Sequence, residues 1–262
     1  MLGQTFCAGH GHTKERPSGA ADSGDRSGRR GPRFRASVLL RFGEDAVPPM
    51  RFRTLLFDLD GTLVDHFAAI HRCHAYAMGQ LGLPVPTPAQ VRAAVGGGLE
   101  NAIRRLAGPE HVAAVLPLFR AHSAATMLDD VTVLPGAHEI LAAGRAACAK
   151  TAVLTNKHGP SARRICDHLG LMPLLDGVFG ADDTPWLKPD PKFTTHALVA
   201  LNANAPTPLL VGDSPYDVQT ARLAGLACWC VTTGTHNAAE LHAAGADEVF
   251  ANLGEIVTIL AP

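Results

Sequence analysis

Short apolar runs alternate with longer amphipathic stretches from Thr54 onward, a pattern typical of βα units wound around a parallel sheet. The runs predicted to be strands are TLLFD, TAVLT, GVFG, PLLVGD and ACWCV. The stretches predicted to be helices include HEILAAGRAA, PSARRICDHLG, PKFTTHALVALN and SPYDVQTARLAG. Most of these begin at Pro or Ser and end at Gly, as helix ends favour. The sequence therefore predicts an α/β fold built on a parallel sheet.

A helical segment interrupts this alternation between residues 66 and 132. No apolar, strand-like run separates its helical stretches, which include PAQVRAAV, LENAIRRLA and EHVAAVLPLFRAHSAATML. We therefore expect residues 66–132 to form a helical insertion. Residues 50–65 and 133–262 are expected to form the core that carries the sheet.

Residues 1–49 differ from the rest of the chain in composition. They are rich in Gly, Ser and Arg and follow neither the helical nor the strand period, so we expect a disordered extension. A basic arm that binds an acidic partner is the weaker interpretation, because acidic residues interrupt the positive charge. Met50 lies shortly before the first predicted strand, which leads to the hypothesis that translation naturally starts there.

Composition and charge narrow the class of protein. The 262 residues are 47% hydrophobic and only 5% aromatic, which suits one large α/β domain with a smaller one inserted. A formal net charge of −1 gives no electrostatic reason to expect nucleic acid or an anionic membrane as a partner. The six cysteines lack the paired spacing of a zinc site, and no apolar run reaches the length of a membrane span. These features are typical of a cytoplasmic protein with reduced thiols.

Two carboxylates directly follow the first predicted strand. Asp58 and Asp60 are expected at the carboxyl end of a buried strand, where open α/β sheets bind their ligands. Two acids at this spacing point to the same side and repel each other unless a cation lies nearby. Gly61 then permits a tight turn, and Thr62 supplies a hydroxyl and a backbone N–H. Acids that merely cap a strand in solvent are the simpler alternative.

Two further segments carry groups suited to phosphate. Thr155 and Asn156 end the second predicted strand where a helix is expected to begin, and their hydroxyl and amide suit phosphate oxygens, although an ordinary helix cap also fits. Lys188 stands among prolines in LKPDP, which restrict the backbone around it. An exposed surface lysine is the default interpretation, but a lysine held in this way is able instead to pair with Asp58 and to neutralise a bound phosphoryl group.

Acidic residues also follow the strand PLLVGD. Asp213 ends this strand, and Asp217 lies in the first turn of the next predicted helix. Because helix N-termini favour acids, Asp217 alone is explained by the helix dipole. Together with the acids of the first strand, however, these carboxylates are the hard oxygen ligands that Mg²⁺ prefers. The sequence therefore indicates a Mg²⁺ site.

Four short segments carry a resemblance to a known family. DLDGT, LTNK, LKPDP and GDSPYD occur in the order of the four signature motifs of haloacid dehalogenase-like phosphatases, which the chain resembles over residues 54–261. The resemblance implies a Rossmann-like core with a helical cap inserted after the first motif. It also implies that the partner is a small phosphorylated metabolite.

The resemblance assigns roles to the residues already singled out. It implies that Asp58 attacks phosphorus, that Asp60 acts as general acid and then general base, and that Lys188 neutralises the phosphoryl group. Mg²⁺ would be held by the Asp58 carboxylate, the Asp60 backbone carbonyl and the Asp213 carboxylate, with Asp217 completing the shell directly or through water. Phosphoryl oxygens would be bound by Thr62, Thr155 and Asn156.

Within this family the chain looks most like the phosphoglycolate phosphatases. VGGGLENAI is similar to their glycine-containing substrate loop, so Gly97 is expected to bring its backbone N–H close to a carboxylate or phosphate, although a flexible turn explains it equally well. The chain departs from the common pattern at Asp65-His66, where a serine usually follows the aspartate, and His66 receives no role. Asp60 disfavours dehalogenation, because the ester intermediate of the dehalogenases needs no such acid.

Three alternative functions remain open at this stage. The same aspartyl-phosphate chemistry supports a pyrophosphatase or a sugar-phosphate mutase, between which the cap alone chooses. A non-catalytic module that binds a phosphometabolite is the third alternative. The sequence makes no prediction of oligomeric state.

Overall fold

The computed structural model describes residues 50–203 and 208–260. Its strands are β1 (Thr54–Phe57), β2 (Val64–Asp65), β3 (Thr132–Val133), β4 (Lys150–His158), β5 (Gly177–Ala181), β6 (Leu209–Gly212), β7 (Ala227–Val231) and β8 (Glu248–Phe250). Its α-helices are α1 (Phe67–Gln80), α2 (Pro88–Ala94), α3 (Leu99–Ala107), α4 (Val112–Thr126), α5 (Ala137–Ala146), α6 (Gly159–His168), α7 (Pro191–Ala200), α8 (Pro215–Ala224), α9 (Ala238–Ala244) and α10 (Leu253–Leu260). The disorder expected for residues 1–49 lies outside the described residues.

Six strands form one parallel sheet in the order β5-β4-β1-β6-β7-β8. This order places β1 in the interior of the sheet, with β4 and β6 as its neighbours, as in doubly wound α/β folds. The five predicted strands correspond to β1 and β4–β7, and the predicted α/β class with a Rossmann-like parallel sheet is confirmed. The sequence does not predict β8, because its three residues are too few to show a period.

Helices cover both faces of this sheet, as a buried parallel sheet requires. Side chains alternate along β1, so that Leu55 and Phe57 pack in one hydrophobic cluster with residues of α5, α6 and α10. Leu56 packs in a second cluster with residues of α7, α8 and α9. Burial on both faces explains why β1 is a continuous apolar run in the sequence.

Helices α1–α4, which we call the cap helices, lie between β2 and β3. These two short strands pair antiparallel where the chain leaves the core and returns to it. The cap helices have a hydrophobic cluster of their own, whose buried members are Cys73, Ala77, Met78, Ile103, Val115 and Phe119. Because a domain is defined by its own core, we propose that residues 66–132 form a cap domain inserted into the sheet domain. Among the described residues, no helix is long and apolar enough to cross a membrane.

Candidate active site

Four of the predicted site residues meet at the carboxyl ends of β1 and β6. Asp58 directly follows β1 and Asp213 directly follows β6, and these strands are neighbours in the sheet. Lys188 reaches them from the loop between β5 and α7, and Asp217 from the first turn of α8. Ligand oxygens of Asp58, Asp213 and Asp217 lie within 4.8 Å of one another, and all four side chains are buried.

Lys188 is the ammonium group at the centre of this acidic cluster. Its Nζ lies 3.0 Å from Oδ1 of Asp58 and 2.7 Å from Oδ1 of Asp217, and its side chain has no exposure to solvent. One positive charge therefore faces three buried carboxylates. Because charge in a buried site is poorly compensated by solvent, the cluster favours the binding of a further cation.

The proton affinities of the acids reflect this excess of negative charge. Burial raises the pKa of Asp58 to about 6, although Lys188 works in the opposite direction. Burial, together with Asp217 and Asp58, raises the pKa of Asp213 to about 8. The pKa of Lys188 is raised above its usual range despite burial, because Asp217 and Asp58 stabilise its charge. The three carboxylates outnumber the single ammonium group of Lys188, and all their donor atoms are oxygens. Such a set fits a hard divalent cation such as Mg²⁺.

Asp217 supports this cluster from the N-terminus of α8. Its Oδ2 accepts hydrogen bonds from the Ser214 hydroxyl at 2.6 Å and backbone N–H at 3.1 Å, and from the Asp213 N–H at 3.3 Å. Its Oδ1 is paired with Lys188. Both oxygens are thus engaged by protein groups. Of the two roles expected for Asp217, this favours contact with the metal through a water molecule over direct ligation.

Thr62 differs from the expectation that it contacts phosphate. Its side chain is fully buried, and its hydroxyl lies 3.5 Å from Oδ1 of Asp213. Its backbone N–H donates to the Leu59 carbonyl and is therefore also engaged. Thr235 completes the support of Asp213, because its backbone N–H and hydroxyl donate to Oδ2 at 2.8 and 2.9 Å. Thr62 and Thr235 therefore orient the Asp213 carboxylate.

Asn156 also has a different environment from the expected one. Strand β4 continues to His158 and α6 begins at Gly159, so Asn156 lies within a strand and not at a helix start. Its Oδ1 accepts the Lys188 N–H at 2.7 Å, while its Nδ2 donates to the carbonyls of Lys188 and Gly96, each at 3.0 Å. The amide oxygen and nitrogen of Asn156 thus both bond to backbone groups. The side chain therefore positions the Lys188 backbone and contacts the cap loop at Gly96.

Asp60 belongs to a second charged group beside the cluster. Its Oδ2 lies 3.0 Å from Nζ of Lys157, which in turn lies 2.9 Å from Nδ1 of His66. Burial alone would raise the pKa of Asp60, but Lys157 and His66 hold it below its usual range. Nε2 of His66 lies 2.7 Å from the Met127 carbonyl, so the ring donates there and accepts from Lys157 through Nδ1. Sequence reasoning assigned no role to either Lys157 or His66.

Asp58, Asp60 and Lys157 line a cavity of about 630 Å³ between the cap helices and the sheet, whereas Lys188, Asp213 and Asp217 are not among its lining residues. Its lining includes five of the predicted residues, namely Asp58, Asp60, Gly97, Thr155 and Asn156. The cavity is large enough to hold a small organic phosphate. Its lining does not include Thr62, which is fully buried.

Gly97 lies at the point where the cap approaches the core. A Cβ atom built on this residue would overlap the Asn101 amide and would lie 2.6 Å from the Tyr216 hydroxyl. The Asn101 Nδ2 itself donates to that hydroxyl at 3.1 Å. A side chain at Gly97 would therefore force the ends of the Asn101 and Tyr216 side chains to shift where the loop before α3 meets the start of α8.

Comparisons with known proteins agree with this architecture. Residues 55–231 match the family model described as haloacid dehalogenase-like hydrolase. "Probable phosphatase IndB" of Dickeya dadantii is 34% identical over 209 residues, which are 78% of this chain and 91% of the relative. A plasmid-encoded phosphoglycolate phosphatase of Cupriavidus necator is 32% identical over 214 residues, covering 79% of this chain and 93% of the relative. The crystal structure of a predicted phosphoglycolate phosphatase from Haemophilus somnus superposes with a TM-score of 0.73 at 23% identity, covering 79% of this chain and 97% of that one.

Proposed function

This chain is a phosphatase that belongs to the haloacid dehalogenase-like hydrolase family, and on that premise we propose that it hydrolyses 2-phosphoglycolate with the aid of Mg²⁺. The observation that carries the proposal is the position of Lys188, whose Nζ lies 3.0 Å from a carboxylate that faces the cavity. That pairing brings a nucleophile and a positive charge to one point, as phosphoryl transfer requires. Relatives named phosphoglycolate phosphatase that are 32% and 28% identical to this chain favour 2-phosphoglycolate as the ester.

Asp58 is held in a fixed orientation for attack on phosphorus. Its Oδ1 accepts the Leu59 backbone N–H at 2.7 Å and lies against Lys188. In the first step a carboxylate oxygen forms a bond to phosphorus while the bond from phosphorus to the leaving oxygen breaks. The Lys188 ammonium compensates the negative charge of the phosphoryl group during this transfer.

Asp60 handles the protons of both steps. It gives a proton to the leaving oxygen as the aspartyl-phosphate forms, and it takes a proton from the water that then attacks phosphorus. Attack by water breaks the bond between Asp58 and phosphorus and releases inorganic phosphate. The contact with Lys157 favours the ionised form of Asp60, which accepts a proton in the second step, whereas the first step requires Asp60 to carry the proton that it took from water in the preceding turnover.

The residues around Asp58 fit Mg²⁺ by the chemistry of their donors. The carboxylates of Asp58 and Asp213 and the backbone carbonyl of Asp60 are the groups proposed to hold it. When bound, Mg²⁺ supplies positive charge that offsets both the clustered carboxylates and the phosphoryl oxygens. Thr235 keeps the Asp213 carboxylate in place for this role, and Asp217 accepts a hydrogen bond from the Asp213 backbone N–H.

A panel of phosphate esters tests the proposal. Release of inorganic phosphate is measured from 2-phosphoglycolate, hexose phosphates, nucleotides and pyrophosphate, each with Mg²⁺ and with chelator. We expect kcat/KM to be highest for 2-phosphoglycolate, activity to disappear with chelator, and added Mg²⁺ to restore it. A preference for another member would contradict the proposed substrate. Activity that required a sugar bisphosphate would favour a mutase, and full activity in chelator would contradict the role of Mg²⁺.

Replacing Lys157 with Met is expected to lower kcat by about 10- to 100-fold, because Lys157 holds Asp60 in the ionised form needed for hydrolysis of the intermediate. The effect falls on kcat more than on KM, since Lys157 acts as a positioning residue through Asp60. Steady-state kinetics with 2-phosphoglycolate measure it. Lys192→Met is the matched control, because Lys192 is exposed on α7 and is expected to leave both constants unchanged.

Replacing Gly97 with Ala is expected to lower kcat/KM by about tenfold, because the new methyl group displaces the ends of the Asn101 and Tyr216 side chains and so disturbs the contact between the cap loop and α8. Gly79→Ala provides a control within the same cap, since a Cβ there meets only a Val85 methyl at 4.0 Å. Alanine is also favoured at that helical position. Equal kinetics in the two variants would contradict the role of close contact at Gly97.

A further inference from the structure

A residue of the cap, Arg92, bonds to the loop that holds a proposed metal ligand. Arg92 lies in the last turn of α2, and its Nη1 donates to the Gly234 carbonyl at 2.8 Å. Its guanidinium also lies over the Phe67 ring, 4.0 Å from the centroid, where the chain enters the cap. Arg92 does not line the cavity above Asp58, so any role that it has in the reaction must act through other residues.

Residues 233–235, which we call the β7 loop, lie against the Asp213 carboxylate. Thr235 donates its backbone N–H and its hydroxyl to Oδ2 of Asp213. A Cβ atom built on Gly234 would overlap the same carboxylate, so the backbone of the loop lies directly against it. The β7 loop therefore sets the orientation of a carboxylate that is proposed to bind Mg²⁺.

The β7 loop also supports the turn that follows Asp60. The Thr233 hydroxyl donates to the Gly61 carbonyl at 2.7 Å. A Cβ atom built on Gly61 would lie 2.8 Å from the Gly234 Cα, so the turn and the loop are in close contact. Asp60, whose backbone carbonyl is another proposed metal ligand, directly precedes Gly61. Displacement of the β7 loop would therefore affect two of the three proposed ligands.

Arg92 connects the cap helices to this loop. Among the described residues, its bond to Gly234 is the one hydrogen bond that joins a cap helix to the β7 loop. The contacts that Asn101 and Gly96 make with the core reach other segments. Since groups that orient a metal ligand change the affinity for the metal, a guanidinium that restrains such a group is expected to act on the affinity as well.

We propose that Arg92 is a positioning residue that holds the β7 loop against Asp213, so that docking of the cap and binding of Mg²⁺ are linked. The inference rests on the proposed function, because it concerns the Mg²⁺ site of that function. A cap contact that raises the affinity for Mg²⁺ is itself stabilised by Mg²⁺ to the same extent, since such coupling is reciprocal. The cap thereby contributes to the metal site from outside the cavity.

The test titrates metal-free wild-type protein and Arg92→Met with Mg²⁺ in the absence of substrate, and follows binding by the rise in Tm. Methionine retains the unbranched side chain but has no N–H donor. We expect the dissociation constant of Mg²⁺ to rise about 3- to 10-fold, which is less than the 10- to 100-fold typical of a direct partner of a metal ligand. Thr235→Val, which removes such a direct partner, is expected to show the larger effect.

Two further measurements distinguish positioning from a general loss of structure. In Arg92→Met the Mg²⁺ concentration for half-maximal phosphate release is expected to rise by the same factor, while kcat at saturating Mg²⁺ stays within about twofold. Arg92→Lys, which retains a donor for the Gly234 carbonyl, is expected to recover part of the affinity. Mg²⁺ is also expected to slow hydrogen exchange of the α2 amides in the wild-type protein, and to slow it less in Arg92→Met.

Arg104→Met is the matched control, because Arg104 is an exposed arginine in the last turn of another cap helix, α3. It is expected to leave the affinity for Mg²⁺ unchanged, and an equal loss in this variant would overturn the proposal. Unchanged affinity in Arg92→Met, a fall in kcat that saturating Mg²⁺ does not restore, or no effect of Mg²⁺ on exchange in wild-type α2 would each do the same.

The titration also separates this inference from the proposed function. Wild-type protein that binds no Mg²⁺ would overturn the role of Arg92 together with the proposed metal site. If wild-type protein binds Mg²⁺ but prefers an ester other than 2-phosphoglycolate, only the proposed substrate fails. The titration without substrate then still decides the role of Arg92.

Discussion

Replacement of Asp58 with Asn is expected to lower phosphate release by about 10⁴- to 10⁶-fold, the largest effect of any single substitution in this chain. The amide is a poor nucleophile and cannot form the aspartyl-phosphate, and it also removes one carboxylate from the proposed metal site. The protein is expected to remain folded, since Lys188 retains its 2.7 Å ion pair with Asp217. The measurement is inorganic phosphate release from 2-phosphoglycolate at saturating Mg²⁺.

The matched control for this substitution is Asp167→Asn, which makes the same chemical change at an exposed position of α6. It is expected to retain full activity. Circular dichroism and thermal unfolding of Asp58→Asn establish that loss of activity does not come from loss of structure. A folded Asp58→Asn enzyme that keeps more than about a tenth of the wild-type rate would contradict the role of Asp58 as nucleophile.

Replacement of Lys188 with Met is expected to cause the largest loss of stability, together with loss of activity. Lys188 is fully buried between Asp58 and Asp217, so methionine fills its volume but leaves two buried carboxylates without their cation. Breaking a buried ion pair by removing one partner costs about 3–5 kcal/mol. Denaturant unfolding without added metal measures the free energy of unfolding, and the expected change is a fall of that size.

A second variant separates the effect of charge from that of packing. Lys188→Met combined with Asp217→Asn removes one of the two uncompensated carboxylates, so the double variant is expected to be more stable than Lys188→Met alone. It is expected to remain inactive, because the phosphoryl group still lacks its ammonium partner. A fall of less than about 1 kcal/mol in Lys188→Met would contradict the importance of these ion pairs for stability.

The sheet was predictable because its strands are buried on both faces. Leu55, Leu56 and Phe57 are all fully buried, and a run of apolar residues is the sequence pattern of such a strand. The pair of β2 and β3 was not predictable in this way, since each strand has only two residues. Their pairing depends on the chain returning from the cap, which is a property of the tertiary structure and has no local pattern.

The charged cluster was predictable for a related reason. Asp58 and Asp213 directly follow apolar strands, and the ends of parallel strands meet at one edge of the sheet. The partners of Asn156 and Thr62 were not predictable, because they lie far away along the chain. Asn156 bonds groups 32 and 60 residues away, and Thr62 lies against Asp213, 151 residues away. Spacing along the sequence carries no information on such contacts.

Lys157 and His66 were missed for different reasons. Lys157 stands next to Asn156 within a motif already singled out, so its residue type was a usable signal that it could contact an acid. His66 is one of thirteen histidines and gives no pattern that marks it as buried. Only the fold shows that His66 lies at the start of the cap, where its ring contacts both Lys157 and the Met127 carbonyl at the end of the cap.

The most direct test of the central claim is detection of the phosphoryl group on Asp58. The Asp60→Asn variant, in which hydrolysis of the intermediate is slowed, is mixed with Mg²⁺ and an aryl phosphate labelled in its phosphoryl group, whose leaving oxygen departs without a proton from residue 60. The wild-type enzyme is mixed with labelled 2-phosphoglycolate, and both reactions are stopped with acid within a single turnover. We predict label on the peptide that contains Asp58, and a smaller, transient amount in the wild-type enzyme. Full release of labelled phosphate from both proteins without label on the chain at any time would contradict covalent catalysis by Asp58.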